Sequence, residues 1–237
     1  MTRNSVQLQI PVFIVLLIVL NSSSLCSQEK DSIWLNDDWY YSTEDSSFID
    51  LTDFLPPIFK DEAHLKRYLR DDRYYELRKL YDDTLAVDAI FDRAMLIADD
   101  NVNHALLIST FAVMDHWKLG FKVPIIGSVY FPLTTENDSL FRLRRTHLPK
   151  KVLSDNPKAS DKDKLQHFFG SAYIAYYTNS NSFAEWIGDL FELGENRFVL
   201  GGNSDPRDKT ANAKGREFGL RLLKDENVLP SDVLWVK

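Results

Sequence analysis

At 237 residues, with 44% apolar and 27% charged side chains, the chain is long enough for one domain of about 200 residues plus an extra segment, and its core needs no disulfide or metal staple. The composition excludes a disordered chain. A net charge of −7 excludes non-specific nucleic-acid binding, which depends on clustered Lys and Arg meeting phosphates.

Arg3 precedes an apolar run at 10–20 and the polar stretch Asn-Ser-Ser-Ser-Leu-Cys-Ser-Gln at 21–28. Together these read as a secretory signal peptide over residues 1–27, whose apolar run of about 11 residues is too short to span a bilayer. Cleavage after Cys26 or Ser27 leaves a mature chain without cysteine, so disulfides take no part in the fold. Lipidation of Cys26 is the alternative, although Leu25 and Ser23 depart from the pattern of a bacterial lipoprotein signal. The expected location is therefore periplasmic or peripheral to the cell envelope, with a membrane surface or another envelope component as partner.

Residues 28–60 are acidic and rich in rings (Trp34, Trp39, Tyr40, Tyr41, Phe48, Phe54), with no sustained period. A disordered linker lacks so many aromatics, so the segment reads as an extended arm whose rings dock on the domain; a partner or sugar surface is their other use. Residues 61–237 read as a single, mainly α domain, bundle-like, with one β-rich excursion.

Within that domain the charged stretch 61–81 carries a thin apolar stripe and predicts a surface helix, broken near Asp71 and Asp72. Residues 84–98 and 102–117 predict two consecutive helices punctuated by Asp99, Asp100 and Asn101, residues that favour turns and N-caps. The second is nearly all apolar from 105 to 114 and should be central. His104 and Asp115 would share a stripe on it, with His104 read as a cap or surface residue. Residues 120–149 change character: Pro124, Gly127, Pro132 and interspersed β-branched and aromatic residues predict a small β-rich excursion, with 128–134 pairing to 140–146. Arg142, Arg144, Arg145, His147, Lys150 and Lys151 cluster there, either as a solvated strand face or as a surface for an anionic lipid or glycan.

The chemistry-bearing residues gather in 161–219. Residues 160–163 (Ser-Asp-Lys-Asp) have capping-box form and open a helix running to about Thr178, apolar on most sides. His167, Ser171, Ile174 and Thr178 share one stripe of it, and a His on so apolar a helix must satisfy its ring nitrogens. A following helix, 183–195, should centre Phe183, Trp186, Ile187 and Leu190 on its packed side, with Glu185 and Asp189 on a solvated face. The last helix, from about Pro206 to Lys224, aligns Asp208, Asn212, Gly215 and Gly219 at spacings of four, three and four. That stripe turns Asp208 and Asn212 inward, and the two glycines let another helix come close.

Asp-Lys-x-x-His-Phe (163–168), a Glu on the next helix and Asp-x3-Asn-x2-Gly-x3-Gly (208–219) resemble the VanZ-like proteins and related small envelope lipoproteins. The resemblance covers residues 161–220, and Glu192 occupies the Glu position; an Arg ahead of the Asp would be Arg207, at a different spacing. VanZ-like proteins are multi-pass membrane proteins, whereas the helices here are short and charged. The resemblance implies a helical arrangement and an envelope location, without a defined chemistry.

Three uses of His167, Glu192, Asp208 and Asn212 follow. They can form a buried hydrogen-bond network fixing helix register, in an exported protein with a structural or binding role. They can form the acid–base site of an envelope hydrolase acting on a lipid, glycan or peptidoglycan component, with His167 as proton shuttle, Asp208 or Glu192 orienting it and Asn212 as polarising donor. Or His167, Glu192 and Asp208 can hold a divalent metal. No cofactor is otherwise indicated.

Overall fold

The computed structural model describes residues 56–234 apart from 117, 124–126, 133, 135, 154–159 and 199–204, with the side chains of 118–132 and 190–198 left out. Residues 1–55, which hold the expected signal peptide and nearly all of the expected aromatic arm, lie outside the described residues. What is described is mainly helical: α1 Pro57–Arg70, α2 Asp72–Leu80, α3 Asp83–Ile97, α4 Val102–Ala112, β1 Lys118–Val123, β2 Gly127–Pro132, α5 Asp138–His147, α6 Lys162–Thr178, α7 Asn181–Phe198, α8 Pro206–Leu222 and α9 Ser231–Leu234. Among the described residues, no helix is long and apolar enough to cross a membrane.

The first helices start and stop where local chemistry dictates. Pro57 opens α1 at a position where a missing N–H costs nothing. Asp71 is extended and ends it, then caps α2 by accepting the amide of Arg73 at 2.8 Å. The charged stretch is therefore two helices, and α1 is not the surface helix its composition predicts. Leu65 and Leu69 are fully buried and Tyr68 nearly so. The charges that suggested a solvated face are consumed by internal ion pairs instead: Lys66 meets Glu62 at 2.5 Å and Arg70 meets Glu136 at 2.6 Å. Asp82 caps α3 by accepting the amides of Thr84 and Leu85. Asp99 and Asp100 turn the chain with φ of 48° and 57°, in the left-handed region that short polar side chains tolerate. Asn101 then caps α4 through the amide of His104 at 3.0 Å. Because α4 ends at Ala112, Asp115 lies beyond it and shares no stripe with His104. His104 Nε2 faces Asp61 at 2.7 Å, and Asp115 pairs with Arg145.

A β-rich excursion across 120–149 is not what forms. Residues 140–146, expected as a strand, lie inside α5, which Asn137 caps by accepting the amide of Leu140 at 2.9 Å. The strands reduce to the β1–β2 hairpin, antiparallel with Phe121 opposite Val129. Phe141, Arg144 and His147 are the buried face of α5, three residues apart; their helical period was masked by a polar, arginine-rich composition. The basic cluster accordingly splits. Arg144 is completely buried, donating from Nη1 to the carbonyls of Ala112 and Met114 at 2.8 and 2.9 Å and from Nε to Glu136. It thereby satisfies carbonyls that the end of α4 leaves unpaired. Burial disfavours the Glu136 carboxylate, but Arg144, Lys66 and Arg70 outweigh that and hold its pKa below the ordinary glutamate value. His147 turns inward to the Leu69 carbonyl at 3.1 Å and stacks on Tyr75.

Helix α6 is the axis of the domain, lying against α8, α4 and α7. Phe168 sits edge-on to Phe169 at 5.2 Å and stacks on Phe218 at 5.4 Å, and Phe218 meets Phe91 edge-on at 5.1 Å. This run of rings joins α6, α8 and α3 through the geometries aromatic quadrupoles prefer. Helix α7 packs differently from its sequence pattern. Phe183 and Trp186 are exposed, while Ala184 is fully buried and a Cβ on Gly188 would lie 3.6 Å from Asn212 Nδ2. Its bundle side is thus the small residues four apart, which allow a closer approach than the large ones.

The short α9 is clasped at both ends. Asp88 on α3 accepts the amide of Ser231 at 2.7 Å, and Lys214 on α8 donates to the carbonyls of Val233 and Leu234 at 2.7 and 3.2 Å. These bonds satisfy backbone groups that the two ends of the short helix leave unpaired. Burial pushes the Asp88 carboxyl up to about 7, against the opposing hydrogen bonds from Ser231 and with help from Asp92 and Asp232. A carboxyl whose pKa rises on folding binds more protons folded than unfolded between the two values, so stability falls as pH rises from about 4 to 7. Asp88→Asn keeps the acceptor and removes that titration. Relative to this variant, wild type is expected to gain roughly 1–3 kcal/mol on going from pH 8 to pH 5, as read by urea denaturation at each pH; parallel pH profiles would contradict it.

Candidate functional site

The candidate site is built where α6 and α8 start. Residues 164 and 208, 171 and 212, and 168 and 215 are neighbours in the two helices, so α6 and α8 run parallel and their N-termini lie side by side. Asp205 is the N-cap of α8, accepting the amide of Arg207 at 2.9 Å. Asp208 and Asp163 lie in the first turns of α8 and α6. Each helix N-terminus carries roughly half a positive charge, which favours carboxylates here before any side chain is counted.

At the centre of these carboxylates stands Lys164. Its Nζ lies 2.6 Å from Asp163 Oδ2, 2.7 Å from Asp205 Oδ2 and 2.6 Å from Asp208 Oδ1, with the lysine side chain only 2% exposed. An ammonium has three protons to donate, and three carboxylates are within reach of them. Burial works against the charged lysine, but the hydrogen bonds to Asp163, Asp205 and Asp208 win and raise its pKa above the ordinary lysine range. The same contact, foremost, with the Arg207 amide, holds the Asp205 carboxyl below the usual aspartate value.

Around this core the remaining polar groups pair in turn. His167, one turn beyond Lys164, places Nε2 3.4 Å from Asp208 Oδ1 with its side chain 15% exposed. Ser171, a further turn on, donates to Asn212 Oδ1 at 2.9 Å, and both residues are buried. Arg207 reaches back to Asp161 Oδ1 at 2.5 Å, while Asp161 Oδ2 accepts the amides of Val152 and Leu153 at 2.8 and 3.0 Å. That use of Asp161 corrects the capping box expected at 160–163. Asp161 is the N-cap residue of α6 but its carboxylate makes no capping bond, because it is committed to the preceding loop.

The helices can approach this closely because of two glycines. A Cβ on Gly215 would lie 2.1 Å from the carbonyl oxygen of Phe168, and one on Gly219 would lie 2.2 Å from that of Ala172. No side chain fits at such distances, so backbone meets backbone along the seam that carries the polar cluster.

Of the residues singled out by sequence, His167, Asp208 and Asn212 converge here, with Gly215 and Gly219 on the same buried face of α8. Glu192 lies in α7, and its side chain is outside the described set. Glu185 is exposed, with its carboxylate 3.7 Å from Arg216. Asp163 and Lys164 stand in the Asp-Lys-x-x-His-Phe pattern read from the sequence but carried no site role there, and Asp205 was not singled out. Lys164 was nonetheless visible as the residue three before His167 on the same stripe of an otherwise apolar helix.

As a metal centre the site has an internal competitor. Oxygens of Asp163, Asp205 and Asp208 all lie within 4.8 Å of one another, a spacing a divalent cation could use. The Lys164 ammonium holds the middle of that set and would have to be displaced. As an acid–base site, it offers the partly exposed His167 ring beside a carboxylate already bonded to Lys164. No protein-family model, curated protein or solved structure matches the chain.

Proposed function

We propose that this chain is an exported protein of the cell envelope with a structural or binding role, in which the Lys164-centred cluster locks α6 to α8 instead of performing catalysis. The observation that carries the non-catalytic reading is the saturation of Lys164: its ammonium is within 2.7 Å of all three carboxylates. Each of the three carboxylates commits an oxygen to this internal cation, so a metal drawing on the same oxygens would have to displace the ammonium. Export is supported by the charged, apolar and small-residue order of residues 1–27, and the envelope location by the VanZ-like pattern of residues 163–168 and 208–219.

A second reading, an envelope hydrolase, draws on His167. Its ring is partly exposed beside Asp208, the arrangement a proton shuttle with an orienting carboxylate requires. The purified protein incubated with labelled phospholipid and peptidoglycan fragments, with and without divalent cations, separates the two. No product release is expected; turnover that His167→Gln abolishes would install the hydrolase instead. Mass spectrometry of the same preparation from the envelope fraction is expected to find the mature chain beginning at Ser27 or Gln28, and an intact Met1 would overturn export.

A further inference from the structure

The outward side of α5 and the loop behind it concentrate positive charge in an acidic protein. Arg142 and Arg145 have side chains 75% and 53% exposed, and Lys150 and Lys151 are exposed in the loop that follows. Lys162, at the start of α6, donates to the carbonyl of Arg145. Arg78 donates to the carbonyls of Thr146, His147 and Leu148 at the end of α5. Six cations share this face with three carboxylates that pair among them: Asp83 with Arg78, Asp115 with Arg145 and Asp138 with Arg142. Burial first, and then repulsion from Lys150, Arg145 and Arg78 against the pull of Asp115, lowers the pKa of Lys162.

The frame beneath this charge is rigid. Asp83 Oδ2 accepts the amides of both Lys150 and Lys151 at 2.9 Å, and Asp161 Oδ2 accepts those of Val152 and Leu153. Four consecutive amides are thus nailed to two carboxylates, and the backbone amides of Lys150 and Lys151 are fixed while their side chains remain outside. Leu143, 41% exposed, follows Arg142 but lies about 160° around α5 from Arg145, away from the cations.

We propose that this face docks on an anionic phospholipid surface, with Arg142, Arg145, Lys150 and Lys151 meeting lipid phosphates. Charge complementarity selects an anionic partner, and a cluster of exposed Lys and Arg on one face suits the phosphates of a membrane surface. The proposal rests on the envelope location proposed above and names the partner there. Basic residues held near an anionic membrane each strengthen binding by roughly fivefold, and salt screens the attraction.

Co-sedimentation of the purified protein with vesicles tests this directly. Binding is expected to phosphatidylglycerol-containing vesicles at low ionic strength, to be lost at 0.5 M salt, and to be absent with pure phosphatidylcholine. Arg142→Glu/Lys150→Glu/Lys151→Glu is expected to weaken it by about a hundredfold or more, since three attractive charges become repulsive. Lys150→Glu alone, at an exposed position, is expected to lose at least about fivefold, which keeps the test readable if the triple variant misfolds. Lys224→Glu, exposed beyond α8, is expected to bind as wild type. Equal binding to both vesicle types, no binding to either, or a folded charge-reversed variant that binds like wild type would each overturn the proposal. Because the vesicles report on the patch and the mature N-terminus reports on export, failure of one is distinguishable from failure of the other.

Discussion

Gly215→Ala is expected to destabilise the protein by about 3–5 kcal/mol, and with it the thermal midpoint should drop by about 6–20 °C for a domain of this size. The added Cβ would lie 2.1 Å from the Phe168 carbonyl oxygen, 2.9 Å from its carbon and 3.0 Å from its Cα. These are backbone atoms of a central helix, so no side-chain rotation relieves the clash and α6 and α8 must separate. Separation also pulls Lys164 away from Asp208 and Ser171 away from Asn212. Alanine ordinarily gains up to about 1 kcal/mol over glycine inside a helix, so the loss is net of an opposing gain. Gly188→Ala and Gly170→Ala supply the contrast: their nearest neighbours are side-chain atoms that would lie at 3.6 and 3.4 Å, ordinary van der Waals contact, and both variants are expected to stay within about 1 kcal/mol of wild type. Differential scanning calorimetry of the three single variants checks the ordering. A Gly215→Ala protein melting with the other two would remove the backbone contact from the account.

Lys164→Met has the second large expected effect, about 3 kcal/mol at pH 7. Removing one partner of a buried ion pair typically costs about 3–5 kcal/mol because the other charge is left uncompensated. The low end applies because Asp163 and Asp205 are more than a third exposed and water screens them, leaving Asp208 as the buried charge. The effect has a defined pH window. The folded Asp205 pKa is depressed, so its share of stability is present above the ordinary aspartate value of about 4 and is lost as pH falls through the lower folded value. The folded Lys164 pKa is raised, so its share is full below the ordinary lysine value of about 10 and is lost only as pH rises through the higher folded value. Wild type and Lys164→Met should therefore differ across the neutral range and converge in strong acid. A constant difference down to pH 2 would show that lost packing of the lysine stem, and not the charge, is responsible.

The features legible in the sequence were those set by period and by local chemistry. The spacing of Asp208, Asn212, Gly215 and Gly219 placed four residues on one face of α8, and Asn101 marked the start of α4. What stayed hidden depended on partners distant in the chain. Arg144 is polar in any composition count, and only the carbonyls of Ala112 and Met114 together with Glu136 make it a core residue. Its burial concealed the helical period of α5 and made 140–146 look like a strand. Trp186 and Phe183 read as a packed face because they are large, yet α7 packs through Ala184 and Gly188, where the bundle leaves room only for small groups. The role of Lys164, although its residue type stands in the 163–168 pattern, stayed hidden because the three carboxylates that hold it come from α6, α8 and the N-cap of α8.

That lysine is the claim on which the rest depends, since a lock and a catalytic site differ in whether the carboxylates are committed to each other's cation. A double-mutant cycle of Lys164→Met and Asp208→Asn, followed by urea denaturation at pH 7, measures the commitment. The double variant is expected to be more stable than the sum of the singles implies, by about 1–3 kcal/mol; singles that simply add would contradict the lock.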